Sequence, residues 1–181
     1  MIIFGIDPGT AITGYGVVRA ADSSVVWIDS GVIVTRSASD LADRLEQIYD
    51  CLTDKMREHA PSRVCIEEAF YGKNVHTTLL LGHSRGVAML AAKKFNASVA
   101  EYSPRQIKKV VTGNGNAAKE QVAYMIKMLL SPPFEHDCTD AYDALAVALC
   151  DYQCGRMASM IKPPSANRGR GIRFCKPKGF S

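Results

Sequence analysis

The sequence lacks a long hydrophobic run and a basic leader. Windows approaching the ~18 apolar residues needed to cross a membrane are interrupted by His83 and Arg85 or by Asp143. The apolar start, Met1–Phe4, has no basic residue and soon reaches Asp7, so it does not have the form of a signal peptide. We therefore expect a cytoplasmic protein with no transmembrane helix and no membrane partner.

The sequence also lacks cysteines in metal-binding patterns. Its six cysteines include no pair separated by two residues, and their spacings do not suit a zinc site. In a chain without an export signal, we expect reduced thiols, several of them in the core. The cysteines are Cys51, Cys65, Cys138, Cys150, Cys154 and Cys175.

The composition excludes a disordered or fibrous protein. Hydrophobic residues make up 47% of the 181 positions and charged residues 22%, which is typical of a globular chain. A domain of this length buries enough surface to fold without disulfides or a structural metal. We predict a folded domain over 1–156 and a flexible tail over 157–181, which carries six basic side chains and no acidic one.

Charge is unevenly distributed along the chain. The net charge of +4 is too small to indicate an acidic partner. Between Lys73 and Lys127, however, the chain has nine basic side chains and only two acidic ones. Contacts with DNA phosphates require such an excess of positive charge. The alternative is a set of solvated helix faces, which we prefer for Lys93, Lys94 and Lys127.

The order of the predicted elements indicates a mixed sheet flanked by helices. Three strands come first, the second and third as antiparallel partners of the first; a helix follows, and then strands and helices alternate. Strands are predicted over 2–6, 14–20, 24–36, 63–67 and 98–102. Helices are predicted from 41 and over 75–95, 104–111, 118–130 and 137–157, with Ser103 as the N-cap of the third.

Four carboxylates occupy positions where a site could form. Asp7 and Glu67 end predicted strands, and the three-residue spacing of Asp140 and Asp143 puts both on one helix face. Each has a simpler explanation: Asp7 as a turn residue, and the helical pair as acids favoured by the helix dipole. Their convergence would instead suit hard, oxygen-ligated ions, and a pair of Mg²⁺ ions can drive phosphodiester hydrolysis.

Several motifs, in order along residues 2–152, resemble the RuvC family of bacterial Holliday-junction resolvases. The chain opens with Gly-Ile-Asp-Pro-Gly-Thr and then Thr-Gly-Tyr-Gly, and Ile-Glu at 66–67 precedes Phe70 and Lys-Asn at 73–74. Three longer runs complete the resemblance: Leu-Gly-His-Ser-Arg-Gly-Val-Ala at 81–88, Tyr-Ser-Pro-Arg-Gln-Ile-Lys at 102–108 and Asp-Ala-Tyr-Asp-Ala-Leu-Ala at 140–146.

The resemblance implies an α/β, ribonuclease-H-like fold with a mixed five-stranded sheet, and a homodimer. It implies recombination and repair by paired symmetric nicks across four-way DNA, leaving 5′-phosphate and 3′-hydroxyl ends. Asp7, Glu67, Asp140 and Asp143 would hold two Mg²⁺ ions per site, with Mn²⁺ as a substitute, and Lys119 would assist catalysis. The partners implied are junction DNA and the RuvA–RuvB branch-migration complex, working at the bacterial nucleoid.

The resemblance also implies DNA contacts and a dimer interface. Phe70 would stack on an unpaired base, although a core aromatic is the alternative. The other predicted DNA contacts are Lys73, Arg85, Arg105, Lys108 and Lys119. Helical glycines at 82 and 86 indicate close packing of another backbone, from the partner subunit or from a strand of the same chain. Glu68 and His136 are not matched to a ligand position, and His136 is expected at the surface.

Three other functions fit parts of the sequence. A related nuclease that processes structured RNA shares the Asp-Pro-Gly-Thr opening, but the Asp-x-x-Asp helix and the pair Lys108 and Lys119 favour the resolvase. An actin-like ATPase or sugar kinase needs a duplicated domain, for which 181 residues are too few. A catalytically silent junction-binding protein would not need all four carboxylates.

Overall fold

The computed structural model describes residues 1–21, 23–36, 38–68, 75–131 and 139–160. Residues 158–160 are described by their backbone alone. The strands are β1 (Ile2–Asp7), β2 (Ile12–Ala20), β3 (Val25–Val34), β4 (Arg63–Glu67) and β5 (Ser98–Tyr102). The helices are α1 (Leu41–His59), α2 (Val75–Lys94), α3 (Pro104–Thr112), α4 (Lys119–Leu130) and α5 (Thr139–Met160).

The strands form one mixed sheet in the order β3-β2-β1-β4-β5. β1, β2 and β3 are antiparallel neighbours, whereas β4 is parallel to both β1 and β5. The predicted mixed five-stranded sheet is therefore confirmed, and β2 is the antiparallel partner of β1 as predicted. The third strand was predicted to pair with the first as well, which is wrong: β3 pairs with β2, because β4 occupies the other edge of β1. In this order, the carboxyl ends of β1 and β4 meet at one edge, as α/β sites require.

The sheet has a hydrophobic core on each face because its strand residues alternate in direction. Phe4 and Ile6 of β1 pack towards α1 and α2, where Ile48, Leu52 and Met56 are fully buried. On the opposite face, β1 and β4 pack against α3, α4 and α5, and the buried interior of α5 covers the centre of the sheet. None of the described helices is both long and apolar enough to span a bilayer.

The predicted boundaries differ from the structure by a few residues. β2 begins at Ile12 instead of Gly14, because its ladder with β3 continues to the pair Ile12–Val34. α5 continues to Met160, three residues past the predicted end, while the rest of the predicted tail and the predicted start at 137 lie outside the described residues.

The ends of α3 follow the predicted capping. The Ser103 side chain accepts a hydrogen bond from the Gln106 backbone N–H, and Pro104 occupies the first turn. At the other end, Gly113 has a left-handed backbone (φ 79°) and donates its N–H to the Lys109 carbonyl. Both ends fix α3 beside the carboxyl edge of the sheet.

Candidate active site

Three structural elements bring the carboxylates to one edge of the sheet. β1 and β4 pair in register at Ile6–Ile66, so that Asp7 and Glu67, the next residue of each strand, lie level at the edge. Asp140 and Asp143 lie one turn apart at the start of α5, which packs on β1 and β2. Carboxylate oxygens of Asp7, Asp140 and Asp143 lie within 4.8 Å of one another.

The turn after Asp7 is held by side-chain hydrogen bonds. The Thr13 hydroxyl donates to the Gly9 carbonyl (2.6 Å) and accepts from the Gly9 N–H (3.3 Å). From α1, Arg44 Nε donates to the Thr10 carbonyl at 3.1 Å. The Asp-Pro-Gly-Thr motif thus forms a pinned turn that fixes the direction of Asp7.

A cavity of about 270 Å³ lies at this edge of the sheet. Asp7, Glu67 and Asp143 line it together with two basic residues, Lys108 of α3 and Lys119 of α4. The remaining walls are apolar or backbone in character, which lowers the local polarity and strengthens electrostatic interactions. The apolar lining residues are Pro104, Ile107, Val122 and Ala146.

The negative charges are crowded and partly buried. Burial, followed by the charges of Asp143 and Asp140, raises the pKa of Asp7 to about 7. Burial and the charges of Asp7 and Asp143 raise the pKa of Glu67 to about 8. The pKa of Asp143 is also raised by burial, although its hydrogen bond to Lys119 acts in the opposite direction. The site is therefore built to hold more positive charge than its own lysines supply.

Lys119 provides the one cation in direct contact with these carboxylates among the described residues. Its Nζ lies 2.6 Å from Asp143 Oδ2 and 3.6 Å from Asp140 Oδ1. Burial opposes its charge, yet the hydrogen bond to Asp143 and the neighbouring acids give a net rise in its pKa. Lys119 is thus protonated and contacts two carboxylates that could also bind a metal ion.

The residues at this edge fit a divalent metal centre. Clustered carboxylate oxygens are the ligands that Mg²⁺ and Mn²⁺ prefer. Asp7, Asp140 and Asp143 form the tight group, and Glu67 lines the same cavity while lying outside that group. After burial, repulsion from Asp143 and Asp140 also raises the pKa of Asp7, and a bound cation would relieve that repulsion.

A second acidic group in the described residues does not resemble this one. Asp29, Glu58 and His59 also approach within 4.8 Å, but Lys55 Nζ already lies 2.9 Å from Asp29 Oδ2. His59 Nε2 adds a further contact with Asp29 at 3.0 Å. This group is a surface ion-pair network that joins β3 to α1.

The sequence model of the family described as "Crossover junction endodeoxyribonuclease RuvC" matches residues 3–151. The chain belongs to the RuvC family. The match covers β1 from Ile3, the other four strands in full and α5 as far as Asp151, so it includes all four carboxylates.

Relatives named crossover junction endodeoxyribonuclease RuvC cover most of the chain. The protein from Syntrophotalea carbinolica is 45% identical over 161 residues, which are 89% of this chain and 99% of that protein. The protein from Pelobacter propionicus is 42% identical over 177 residues, which are 98% of this chain and 100% of that one. The RuvC resemblance of the motifs is therefore confirmed over nearly the whole sequence.

Solved structures confirm the ribonuclease-H-like resolvase fold. Thermus thermophilus RuvC in complex with a Holliday junction substrate has a TM-score of 0.82 and 29% identity, covering 88% of this chain and 97% of that one. The yeast mitochondrial Holliday junction resolvase Ydc2, at 17% identity and a TM-score of 0.60, shares the fold; the match covers 86% of this chain and 81% of Ydc2.

The other predicted site residues lie at separate places in the structure. Lys108 lines the carboxylate cavity, whereas Arg105 is exposed on the other side of α3. Arg85 of α2 pairs with Glu101 of β5, with 2.5 Å between Arg85 Nη2 and Glu101 Oε1. Glu68 is exposed beyond the end of β4. Phe70, Lys73 and His136 lie outside the described residues.

Gly82 and Gly86 lie on the exposed surface of α2. A Cβ atom built at either position meets nothing within 4 Å among the described residues. Of the two explanations offered by the sequence, packing against a strand of the same chain is therefore wrong. The partner-subunit explanation stays a prediction.

Sequence reasoning missed a buried network around Asp151, in the middle of α5. Asp151 is 2% exposed, accepts hydrogen bonds from Arg63 Nε (2.7 Å) and Tyr102 Oη (2.7 Å), and pairs with Arg63 Nη2. The network joins α5 to β4 and β5 and sets the helix position along the sheet. Asp151 lies about three turns after Asp140, on the same side of the helix, but the local sequence does not indicate Arg63 or Tyr102 as its partners.

Proposed function

We propose that this protein resolves four-way DNA junctions by paired, symmetric nicks. The observation that carries the proposal is the cavity in which Asp7, Glu67 and Asp143 face Lys119 and Lys108. Family membership supports it, because similar chains are named crossover junction endodeoxyribonucleases and one was solved with a Holliday junction substrate. The products would be 5′-phosphate and 3′-hydroxyl ends.

Asp7, Glu67, Asp140 and Asp143 would hold two Mg²⁺ ions, with Mn²⁺ as a substitute. When bound, the ions would activate the attacking water and stabilise the departing 3′ oxygen. The four side chains are held for this task by different elements, β1, β4 and α5, so the site has little freedom to relax. Such preorganisation keeps the ligand atoms in place before substrate binds.

Lys119 would act on the phosphate group once metal ions neutralise the acids. Its contacts with Asp140 and Asp143 give it no free role in the metal-free state. If those carboxylate oxygens held metal, the Lys119 ammonium group would be free to bind the scissile phosphate. Lys108, on the facing helix α3, is placed to bind the same phosphate from the other wall of the cavity.

Replacing Lys119 with Met should change metal binding and cleavage in opposite directions. Mg²⁺ affinity at pH 8 should rise roughly 5- to 30-fold, because an ammonium about 4 Å from a divalent ion costs on the order of 1–2 kcal/mol even with water-like screening. Cleavage of junction DNA should fall by about 10²-fold, the usual loss for a group that stabilises developing charge. Isothermal titration calorimetry measures the affinity without DNA.

Lys127→Met is the matched control for this test, since Lys127 lies on the same helix above the Tyr142 ring, 5.2 Å from its centroid. It should leave Mg²⁺ affinity within about twofold of wild type, a difference of only ~0.4 kcal/mol. Weaker or unchanged Mg²⁺ binding by Lys119→Met would show that Lys119 does not occupy the metal position.

The protein would act as a homodimer through the outward face of α2. Val75, Leu79, Gly82, Gly86 and Leu90 recur at helical spacing and form one exposed stripe. Val75, Leu79 and Leu90 are each more than half exposed. The glycines leave open space that a second helix could approach closely, and a twofold dimer would match the symmetry of the substrate.

The remaining DNA contacts are proposed on the same basis. Lys108 lines the cavity, and Arg105 lies on the other side of α3. Arg85 would exchange its ion pair with Glu101 for a phosphate. Phe70, as a base-stacking residue, and Lys73 complete the proposed surface. A RuvA–RuvB branch-migration complex would deliver the junction.

The function is tested by comparing two adjacent glutamates. Glu67→Gln should reduce cleavage of a synthetic four-way junction by about 10²–10³-fold, because Glu67 lines the cavity and would bind metal. Glu68→Gln removes the same charge from an exposed neighbour and should retain activity within about threefold, ~0.65 kcal/mol. Gel analysis of single-turnover reactions with end-labelled strands measures both rates.

A structured RNA hairpin and a linear duplex are the comparison substrates. We expect the wild type to cut the junction at paired symmetric positions and to leave the other two intact. Faster cleavage of the RNA would favour an RNA-processing nuclease. Equal junction cleavage by Glu67→Gln and wild type would contradict the proposed site.

A further inference from the structure

The buried network around Asp151 holds α5 against the half of the sheet that carries Glu67. Asp151 Oδ2 accepts from Arg63 Nε at 2.7 Å, while Oδ1 accepts from Tyr102 Oη at 2.7 Å and from Arg63 Nη2. Arg63 begins β4, whereas Tyr102 ends the adjacent parallel strand β5. The two donors approach Asp151 from opposite ends of these strands. A slide of α5 along the strands in either direction therefore stretches one of the hydrogen bonds.

Tyr102 belongs to both halves of the carboxylate site. Its backbone pairs with Glu67 in the ladder between β4 and β5, and its carbonyl accepts the Glu68 N–H at 2.9 Å. Its side chain reaches α5 instead, and burial together with the Asp151 carboxylate raises the pKa of Tyr102, so that the hydroxyl stays protonated and donates. One residue thus connects the strand end that positions Glu67 with the helix that carries the paired aspartates.

This network adds a constraint that apolar packing does not supply. Glycines of β1 and β2 fix α5 from one side, as at Gly5, where a built Cβ would be 2.1 Å from the Ala144 carbonyl oxygen. β4 and β5 contain no glycine, and their contribution to this core is apolar, from Cys65 and Ala100. Apolar contacts have no preferred direction, whereas hydrogen bonds do. A buried ion pair adds little net stability, and its best-documented use is to fix register.

We propose that Tyr102 and Asp151 are positioning residues for metal binding, which hold Glu67 at a fixed distance from the aspartates of α5. Glu67 lies outside the tight group of carboxylates, so its distance from that group depends on how β4 and α5 are held together. Asp151 lies eight residues after Asp143, about 12 Å along a rigid helix, so a shift at one point moves the other. Mg²⁺ tolerates little departure from octahedral geometry. This inference rests on the proposed metal-dependent function.

The test compares the variants Tyr102→Phe and Ile48→Val. The first removes one hydroxyl group from the network and keeps the ring, and the second removes one methylene group from the core on the opposite face of the sheet. Both changes are small losses within the interior, so both should lower stability to a similar extent. Urea unfolding in EDTA identifies a temperature at which each variant is folded, and all other measurements are made there.

Mg²⁺ affinity is the measurement that a purely structural role would not change. Isothermal titration calorimetry with Mg²⁺ alone should show about tenfold weaker binding by Tyr102→Phe, the lower end of the range for groups that hold metal ligands in place. Ile48→Val should stay within about twofold of wild type. Asp151→Asn keeps the side-chain size but removes the charge, and should weaken Mg²⁺ binding further, by up to about 10²-fold.

Cleavage and DNA binding should separate in the same variants. Single-turnover cleavage of a four-way junction at limiting Mg²⁺ should fall about tenfold in Tyr102→Phe, and a higher Mg²⁺ concentration should restore part of that loss. Junction binding in EDTA, measured by fluorescence anisotropy, should match wild type because no proposed DNA contact is removed. The proposal is overturned if Tyr102→Phe binds Mg²⁺ and cuts as Ile48→Val does. A wild-type protein that bound no Mg²⁺ or cut no junction would contradict the proposed function instead.

Discussion

Asp7→Asn should reduce junction cleavage by at least about 10³-fold while leaving junction binding intact. Asp7 ends the central strand β1 and lies with Asp140 and Asp143 in the tight group of carboxylates. Losing one donor at a preorganised catalytic site costs about 10²–10³-fold, and a shared metal ligand should cost at least the upper value. Binding should be equal or tighter, because one negative charge near the DNA phosphates is removed.

The same substitution should stabilise the metal-free protein. The folded-state pKa of Asp7 is about 7, above the ordinary value of 3.8, so folding disfavours its charged form. For a raised carboxyl pKa, stability is lost as the pH rises from about 4 to about 7, and the loss is complete above that range. Asn cannot ionise, so Asp7→Asn should exceed wild type by roughly 2 kcal/mol at pH 8, a discounted value for a group that keeps some solvent contact.

Urea unfolding in EDTA at pH 4 and pH 8 measures this difference. The two proteins should converge at pH 4, and adding Mg²⁺ at pH 8 should stabilise wild type more than Asp7→Asn. Asp50→Asn, an exposed carboxylate on α1, serves as the control and should match wild type throughout. A variant that cuts junctions at the wild-type rate, or that is less stable than wild type in EDTA at pH 8, would contradict this account of Asp7.

The carboxylate site could be predicted because its geometry is set by local rules. Asp7 and Glu67 each follow an apolar strand, and adjacent parallel strands end at the same edge of a sheet. The spacing of Asp140 and Asp143 fixes their common helix face whatever the helix packs against. Only the family resemblance, however, indicated that Lys119 would lie with them.

Contacts between distant elements could not be read from the sequence. The pairing of Arg85 with Glu101 depends on how α2 crosses β5, and Asp151 meets Arg63 across 88 positions of sequence. The same limit applies to the two glycines of α2, whose packing partner the sequence alone does not identify. Gly82 and Gly86 stood out because glycine is costly in a helix. Among the described residues, however, the closest backbone contacts are made by strand glycines and by Gly9 in the turn after β1.

Gly14 is the strand glycine that most directly controls the active site. It pairs with Asp7 across β1 and β2, and α5 lies on it so closely that a built Cβ would be 2.1 Å from the Asp140 carbonyl oxygen. The obstructing atoms belong to the backbone, and the next contact is Ala144 Cβ at 3.4 Å. Any side chain at this position must therefore move the first turn of α5, which carries Asp140 and Asp143.

Gly14→Ala should consequently damage stability and activity together. Overpacking of this kind costs about 1–3 kcal/mol, and displacing catalytic groups by about 1 Å reduces the rate by about 10²-fold. The matched control is Gly155→Ala on α5, the helix that packs on Gly14. A Cβ at Gly155 meets nothing within 4 Å among the described residues. There, alanine should stabilise the fold by about 0.5–1 kcal/mol and leave cleavage unchanged.

Urea unfolding at equal protein concentrations and single-turnover junction cleavage test the pair. Equal concentrations matter because the stability of a dimer depends on the amount of protein. The decisive comparison is made at a temperature where Gly14→Ala is still folded, so that lost cleavage reports displaced ligands and not unfolded protein. Wild-type cleavage by a folded Gly14→Ala variant would mean that α5 can move on β2 without moving the acids, and the tight packing would then serve stability alone.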